Sequence, residues 1–160
     1  MTVRNWFTDT AVVGAYGCIS LMEEQTASMK VPARASAARR GQRMRALIVG
    51  RDPRLLARLR RLERTAGIKI VGECASGWEA LDLVERIKPD LVLSDFEIED
   101  MTGAAIAKAL KARRWSPLVV LTSLHDSPLY AEISSKAGAD MYVPARRLRD
   151  ISLLLAKLGL

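Results

Sequence analysis

The sequence predicts an α/β domain, a doubly wound five-stranded parallel sheet with helices on both faces. Three observations predict it. Short apolar runs, such as Ala46-Leu-Ile-Val49, Leu91-Val-Leu93 and Leu118-Val-Val-Leu121, stand between turn signals, which is how buried strands read. Segments of helical period separate them, and strict alternation implies parallel strands joined by crossover helices. The run that ends at Asp95 delivers a carboxylate to the carboxyl end of a strand, where open α/β sheets bind ligands.

Each element follows from local chemistry. Ala46-Leu-Ile-Val49 is the first strand, and Gly50, Arg51, Asp52 and Pro53 follow it. Asp before Pro places an N-cap ahead of a first helical position suited to proline. Leu55, Leu56, Leu59 and Leu62 then recur at helical spacing with arginines on the other face, and Gly67 stops the helix. Ile68-Lys-Ile-Val71 is the second strand, and Lys69 within it points to a sheet edge. Gly77 opens a second helix with Ala80, Leu81, Val84 and Ile87 on one face, and Pro89 ends it. The strand ending at Asp95 comes next. After Gly103 a third helix turns Ile106, Ala107 and Leu110 inward. Pro117 starts the fourth strand. Ser127 and Pro128 cap a fourth helix that ends at Gly138. Met141-Tyr-Val143 is a short fifth strand, and Leu148, Ile151, Leu155 and Leu158 make a fifth helix.

Right-handed crossovers favour the flavodoxin-like strand order 2-1-3-4-5. In that order the ends of strands one, three, four and five meet at one crevice. It would hold Gly50 to Asp52, Asp95, Thr122 with Ser123, and Pro144 to Arg146.

Composition narrows the function classes. With 49% hydrophobic and 27% charged residues among 160, a packed core forms without disulfides. Cys18 and Cys74 make neither a CxxC nor a metal spacing, which suits a reducing, cytoplasmic setting. No apolar run approaches the roughly 18 residues of a spanning helix, so no membrane partner is expected. The net charge is +7, and much of the excess outside the first 43 residues lies in Arg51, Arg54, Arg58, Arg60, Arg61 and Arg64. A solvated helix face is the expectation. With no aromatic residues interleaved and no helix-turn-helix pattern, no nucleic-acid partner is expected either.

Residues 1–43 lack sustained periodicity, and residues 27–43 are rich in Ala, Ser and Arg. Such composition buries too little surface to offset chain entropy, so this segment is expected to be disordered or loosely helical. A lipoprotein leader around Cys18 is disfavoured by the single Arg4 and by Asp9. A tether for a partner, or an upstream extension of a domain that starts at Met44, are the other readings. The domain itself is expected over residues 44–160.

These residues resemble a family. Leu-Ile-Val in strand one, Val71-Gly-Glu-Cys-Ala-Ser-Gly-Trp-Glu-Ala-Leu81, Lys88-Pro-Asp-Leu-Val-Leu-Ser-Asp95, Met101-Thr-Gly103, Val119-Val-Leu-Thr122 and Ala137-Gly-Ala-Asp140 are similar, in order and spacing, to the receiver domain of two-component response regulators, of the chemotaxis-regulator kind. The resemblance covers nearly all of residues 44–160. It implies phosphoryl transfer from a kinase phosphohistidine to Asp95, the acceptor position. It implies Mg²⁺, held by an acidic pair after strand one, to offset the repulsion between a carboxylate and a phosphoryl group. It makes Thr122 the switch hydroxyl and Tyr142 the aromatic that moves with it.

The sequence departs from the pattern at three places. Gly50 and Arg51 stand at the acidic-pair positions, with Asp52 one position late. Ala145 stands at the position of the family's Lys, beside Arg146. Glu99 stands where the acceptor loop usually carries Pro. Mg²⁺ binding is therefore expected to be weakened, and no metal site is assigned. One reading puts Arg51 in place of the metal, paired with Asp95 and lowering its pKa; the other leaves Arg51 in solvent. Asp52 is expected as an N-cap, or else as a surviving acidic ligand helped by Glu97, Glu99 or Asp100. His125 is expected at the surface, and Trp78 and Trp115 as helix-end packing.

Three functions compete. The first is a stand-alone receiver in phosphorelay signalling that acts by protein–protein contact. The second is a pseudo-receiver that binds its partner without phosphorylation. The third is an aspartyl-nucleophile phosphatase, suggested by Asp95 and Glu97, for which a later acidic pair is missing; no enzyme is expected. The expected partners are a sensor histidine kinase or another signalling protein, and a second copy through the last and fourth helices, the last carrying an apolar excess at Leu153 and Leu160.

Overall fold

The computed structural model describes residues 43–157. The expected loose segment before Arg43, Cys18 within it, and Leu158 and Leu160 lie outside the described residues. The sheet has five parallel strands in the order β2-β1-β3-β4-β5, as expected. The strands are β1 (Met44–Val49), β2 (Ile68–Cys74), β3 (Leu91–Asp95), β4 (Leu118–Thr122) and β5 (Met141–Tyr142). The helices are α1 (Pro53–Thr65), α2 (Gly77–Ile87), α3 (Gly103–Lys111), α4 (Pro128–Lys136) and α5 (Ile151–Lys157).

Alternation along the strands splits the core in two. Ala46 and Ile48 face one side with Leu91, Leu93 and Val120, under α1 and α5. Leu47 and Val49 face the other with Val92, Val119 and Leu121, under α2, α3 and α4. Strands buried on both faces need unbroken apolar runs, and β3 and β4 are buried at every position. β2 forms the edge, and Lys69 is exposed on it. Its register slips between Ala46 and Leu47. Close by, Gly72 lets Leu47 and Ile87 approach; a Cβ there would stand 3.1 Å from each.

The carboxyl-terminal third departs from the sequence reading. Ser127 stands at the N-cap of α4, but its side chain makes no cap hydrogen bond. β5 stops at Tyr142, one residue early. The Val143 amide still donates to the Leu121 carbonyl at 2.8 Å, but Pro144 has no amide to continue a ladder. A 3₁₀ turn (Ala145–Asp150) then precedes α5, so Leu148 belongs to that turn.

Candidate functional site

Asp95 ends β3 between β1 and β4, opposite Thr122 in the parallel register. It is buried, at 7% exposure. One carboxylate oxygen accepts the Glu97 amide at 3.2 Å. Gly103 lets the start of α3 close over this turn: its amide donates to the Phe96 carbonyl at 3.0 Å. A Cβ on Gly103 would press into the Asp95 carbonyl and stand 3.0 Å from the Phe96 Cα. Gly50 lies against the other side, where a Cβ would sit 3.4 Å from that of Asp95. That is ordinary contact, so a Cβ at position 50 is tolerated.

Burial pushes the Asp95 carboxyl up to about 6. The Glu97 and Asp52 charges push the same way, and the amides of Glu97 and Phe96 oppose them. No cation is among the groups that act on it. Of the two readings of Arg51, the pair with Asp95 is therefore corrected, and the solvent-facing one agrees with the structure. Arg51 is exposed and pairs with Glu99. The physical reason is desolvation: a guanidinium would have to leave water to reach a buried carboxylate, whereas Glu99 lets both partners stay hydrated. Arg51 and Glu99, two of the departures from the family pattern, are each other's partners.

The remaining acids are engaged elsewhere. Asp52 caps α1, accepting the Arg54 amide at 2.7 Å and the Leu55 amide at 3.2 Å. Glu97 accepts the Tyr130 hydroxyl at 2.6 Å. Asp100 takes the Gly77 amide (2.9 Å), the Ser76 hydroxyl (2.8 Å) and the Trp78 amide (3.2 Å) at the start of α2. Those donors hold its carboxyl down at about 2. Mg²⁺ wants several oxygen ligands in near-octahedral array. The loop after β1 offers a glycine, an outward arginine and a capping aspartate. Among the described residues no group of three or more His, Cys, Asp or Glu could hold a metal. These residues do not fit the ion.

Thr122 is fully buried, and its hydroxyl has no hydrogen-bond partner. Ala145 is buried and its amide donates to the Ser123 carbonyl at 2.9 Å; it brings no charge. Arg146 beside it pairs with Asp126 at the rim. Tyr142 is buried, and its hydroxyl donates to the His125 carbonyl at 3.1 Å. The ring of Tyr142 meets Tyr130 edge-on at 6.2 Å, and Tyr130 stacks on Phe96 at 4.3 Å.

Phe96 and Tyr130 are the residues that sequence reasoning missed. Every Phe and Tyr of the described residues joins this one bridge, in a chain with only 5% aromatics. That scarcity was the available signal. The bridge ties the Asp95 loop, α4 and β5 together. His125 is exposed, as expected. Trp115 is half-buried under the Lys88 ammonium at 4.8 Å. Trp78 does not pack: it is 66% exposed, because Gly77 rather than Trp78 occupies the inward position at the start of α2.

Comparison with known proteins agrees with this geometry. Residues 46–149 match the response regulator receiver domain family. The DNA-binding transcriptional activator EvgA of Escherichia coli strain K12 is 30% identical over 100 residues, 62% of this chain and 49% of EvgA. The transcriptional regulatory protein PdtaR of Mycobacterium tuberculosis H37Rv is 35% identical over 100 residues, 62% of this chain and 48% of PdtaR. The chain thus spans about half the length of these relatives. Among solved structures, the signal receiver domain of NarL from Mycobacterium tuberculosis superposes with a TM-score of 0.65 at 25% identity, covering 74% of this chain and 99% of that one.

Proposed function

This chain belongs to the response regulator receiver domain family, and on that premise we propose that it acts in two-component signalling as a pseudo-receiver. Its partner-facing surface is set without phosphorylation of Asp95. The carrying observation is the state of Tyr142. It is already buried and bonded to the β4–α4 loop, while no side-chain cation among the described residues acts on Asp95. In such transfer the protein's main contribution is positive charge around the phosphoryl oxygens. Gly50, Arg51 and Ala145 supply none of it at Asp95.

The output is protein–protein contact with a sensor kinase or another signalling protein of the cytoplasm. α4 and α5 flank β5 at the sheet edge and carry exposed Leu129 and Leu153, a surface that also suits a second copy. Among the described residues no helix is long and apolar enough to cross a membrane. EvgA is by name a DNA-binding activator.

One observation favours phosphorylation of Asp95 instead: the unpartnered Thr122 hydroxyl beside it, which a phosphoryl oxygen would satisfy. Incubation with acetyl phosphate and Mg²⁺, followed by intact mass, separates the two. The pseudo-receiver forms no adduct. A base-labile adduct that Asp95→Asn abolishes would establish the acceptor reading.

A further inference from the structure

Helix α1 carries a row of cations that nothing in the fold uses. Arg54, Arg58 and Arg61 recur at helical spacing on one flank, and Arg64 follows one turn on. All four are exposed, and none makes an ion pair among the described residues. Arg60, on the other flank, is committed to Glu73 through contacts of 2.9 and 2.6 Å. The row runs against the interests of the helix itself. Like charges three and four residues apart weaken a helix. Beyond the Asp52 cap the first turn holds no acid, and Arg54 stands at the positive end of the dipole.

The face also lacks what a protein partner needs. Leu55, Leu59 and Leu62 are buried beneath it, and none of the large exposed hydrophobics lies on α1. Protein interfaces centre on apolar anchors and deplete charge at their core. A phosphate backbone needs only cations, since its affinity comes from counterion release. Guanidinium forks suit phosphate oxygens. At about 1.5 Å per residue, the row spans about 15 Å from Arg54 to Arg64. A fixed, regular row matches a stiff duplex better than a flexible strand.

We propose that α1 is a docking face for the phosphate backbone of duplex DNA. Contact with phosphates rather than base edges carries no sequence preference. The expectation of no nucleic-acid partner rested on the absence of a base-reading pattern, and backbone contact requires no such pattern.

The test is anisotropy of a labelled duplex of about 20 base pairs titrated with the full chain across a salt series. Wild type binds with a log–log salt slope of about −3 to −4. The triple variant R54Q/R58Q/R61Q, built from good helix formers, loses about three from that slope and on the order of 10- to 100-fold in affinity at low salt. Arg58→Gln alone removes about one, which keeps the test valid if the triple variant folds poorly. K108Q/R114Q on α3 and its exit, and R34Q/R39Q/R40Q in the amino-terminal segment, leave the slope unchanged. Absence of wild-type binding would overturn the proposal. So would equal losses in a control set, tighter binding to single-stranded RNA of the same length, or α1-dependent capture of polyglutamate in place of DNA.

Discussion

Asp95 carries a cost that its neighbours relieve only in part. Its carboxyl titrates at an ordinary 3.8 when free and at about 6 in the fold. Between those values the folded state keeps a proton that the unfolded state has released. Stability therefore falls as pH rises across that window, and the full cost persists above it. Allowing for partial solvent contact, the cost is about 1–2 kcal/mol. Asp95→Asn is expected to stabilise the chain by that amount at pH 7.5 and by little at pH 4, in urea unfolding at both values. Thr122 carries a second local cost. A buried hydroxyl without a partner forfeits its hydration, so Thr122→Val is expected to raise stability by about 1 kcal/mol in the same assay. A chain selected for stability alone would keep neither group. The sequence showed both residues, through the apolar strands that end at them. It could not show the direction of the Asp95 shift, because that depends on where Arg51 turns, and a long exposed side chain chooses among partners that only the folded loops bring near.

At the scale of elements, the site is held by close backbone approach. Gly103 admits the start of α3 against the Asp95–Phe96 peptide. Gly103→Ala is expected to destabilise by at least about 2 kcal/mol, read as a lower urea midpoint with an unchanged m-value. α4 is held through Tyr130, by the stack on Phe96, the edge contact with Tyr142 and the bond to Glu97. Tyr130→Ala is expected to speed amide exchange in α4 and β5 roughly 10- to 100-fold while leaving α1 and α2 protected. β1, β3, β4 and the first three helices were legible because apolar period and turn signals agree in them, as at the Asp52 cap. The last third was less so. Pro144 ends β5 by removing a donor, and Ser127 keeps the cap position without the cap bond. The aromatic bridge joins residues 34 and 46 positions apart from Phe96, a distance that no local pattern spans.

At the scale of the molecule, the strand order brings four loops to one crevice, and the chain has changed the charges in three of them. Arg51 and Glu99 pair with each other across its mouth, and Arg146 pairs with Asp126 on the far rim. On the proposed reading, what sets the α4–β5 surface is the aromatic bridge, which is present without a phosphoryl group. The most direct test of that claim is the amide NMR spectrum of the full chain before and after incubation with acetyl phosphate and Mg²⁺. The α4 and β5 resonances, Tyr130 and Tyr142 among them, should not move. Shifts of those resonances that develop with the phosphodonor and vanish in Asp95→Asn would contradict it.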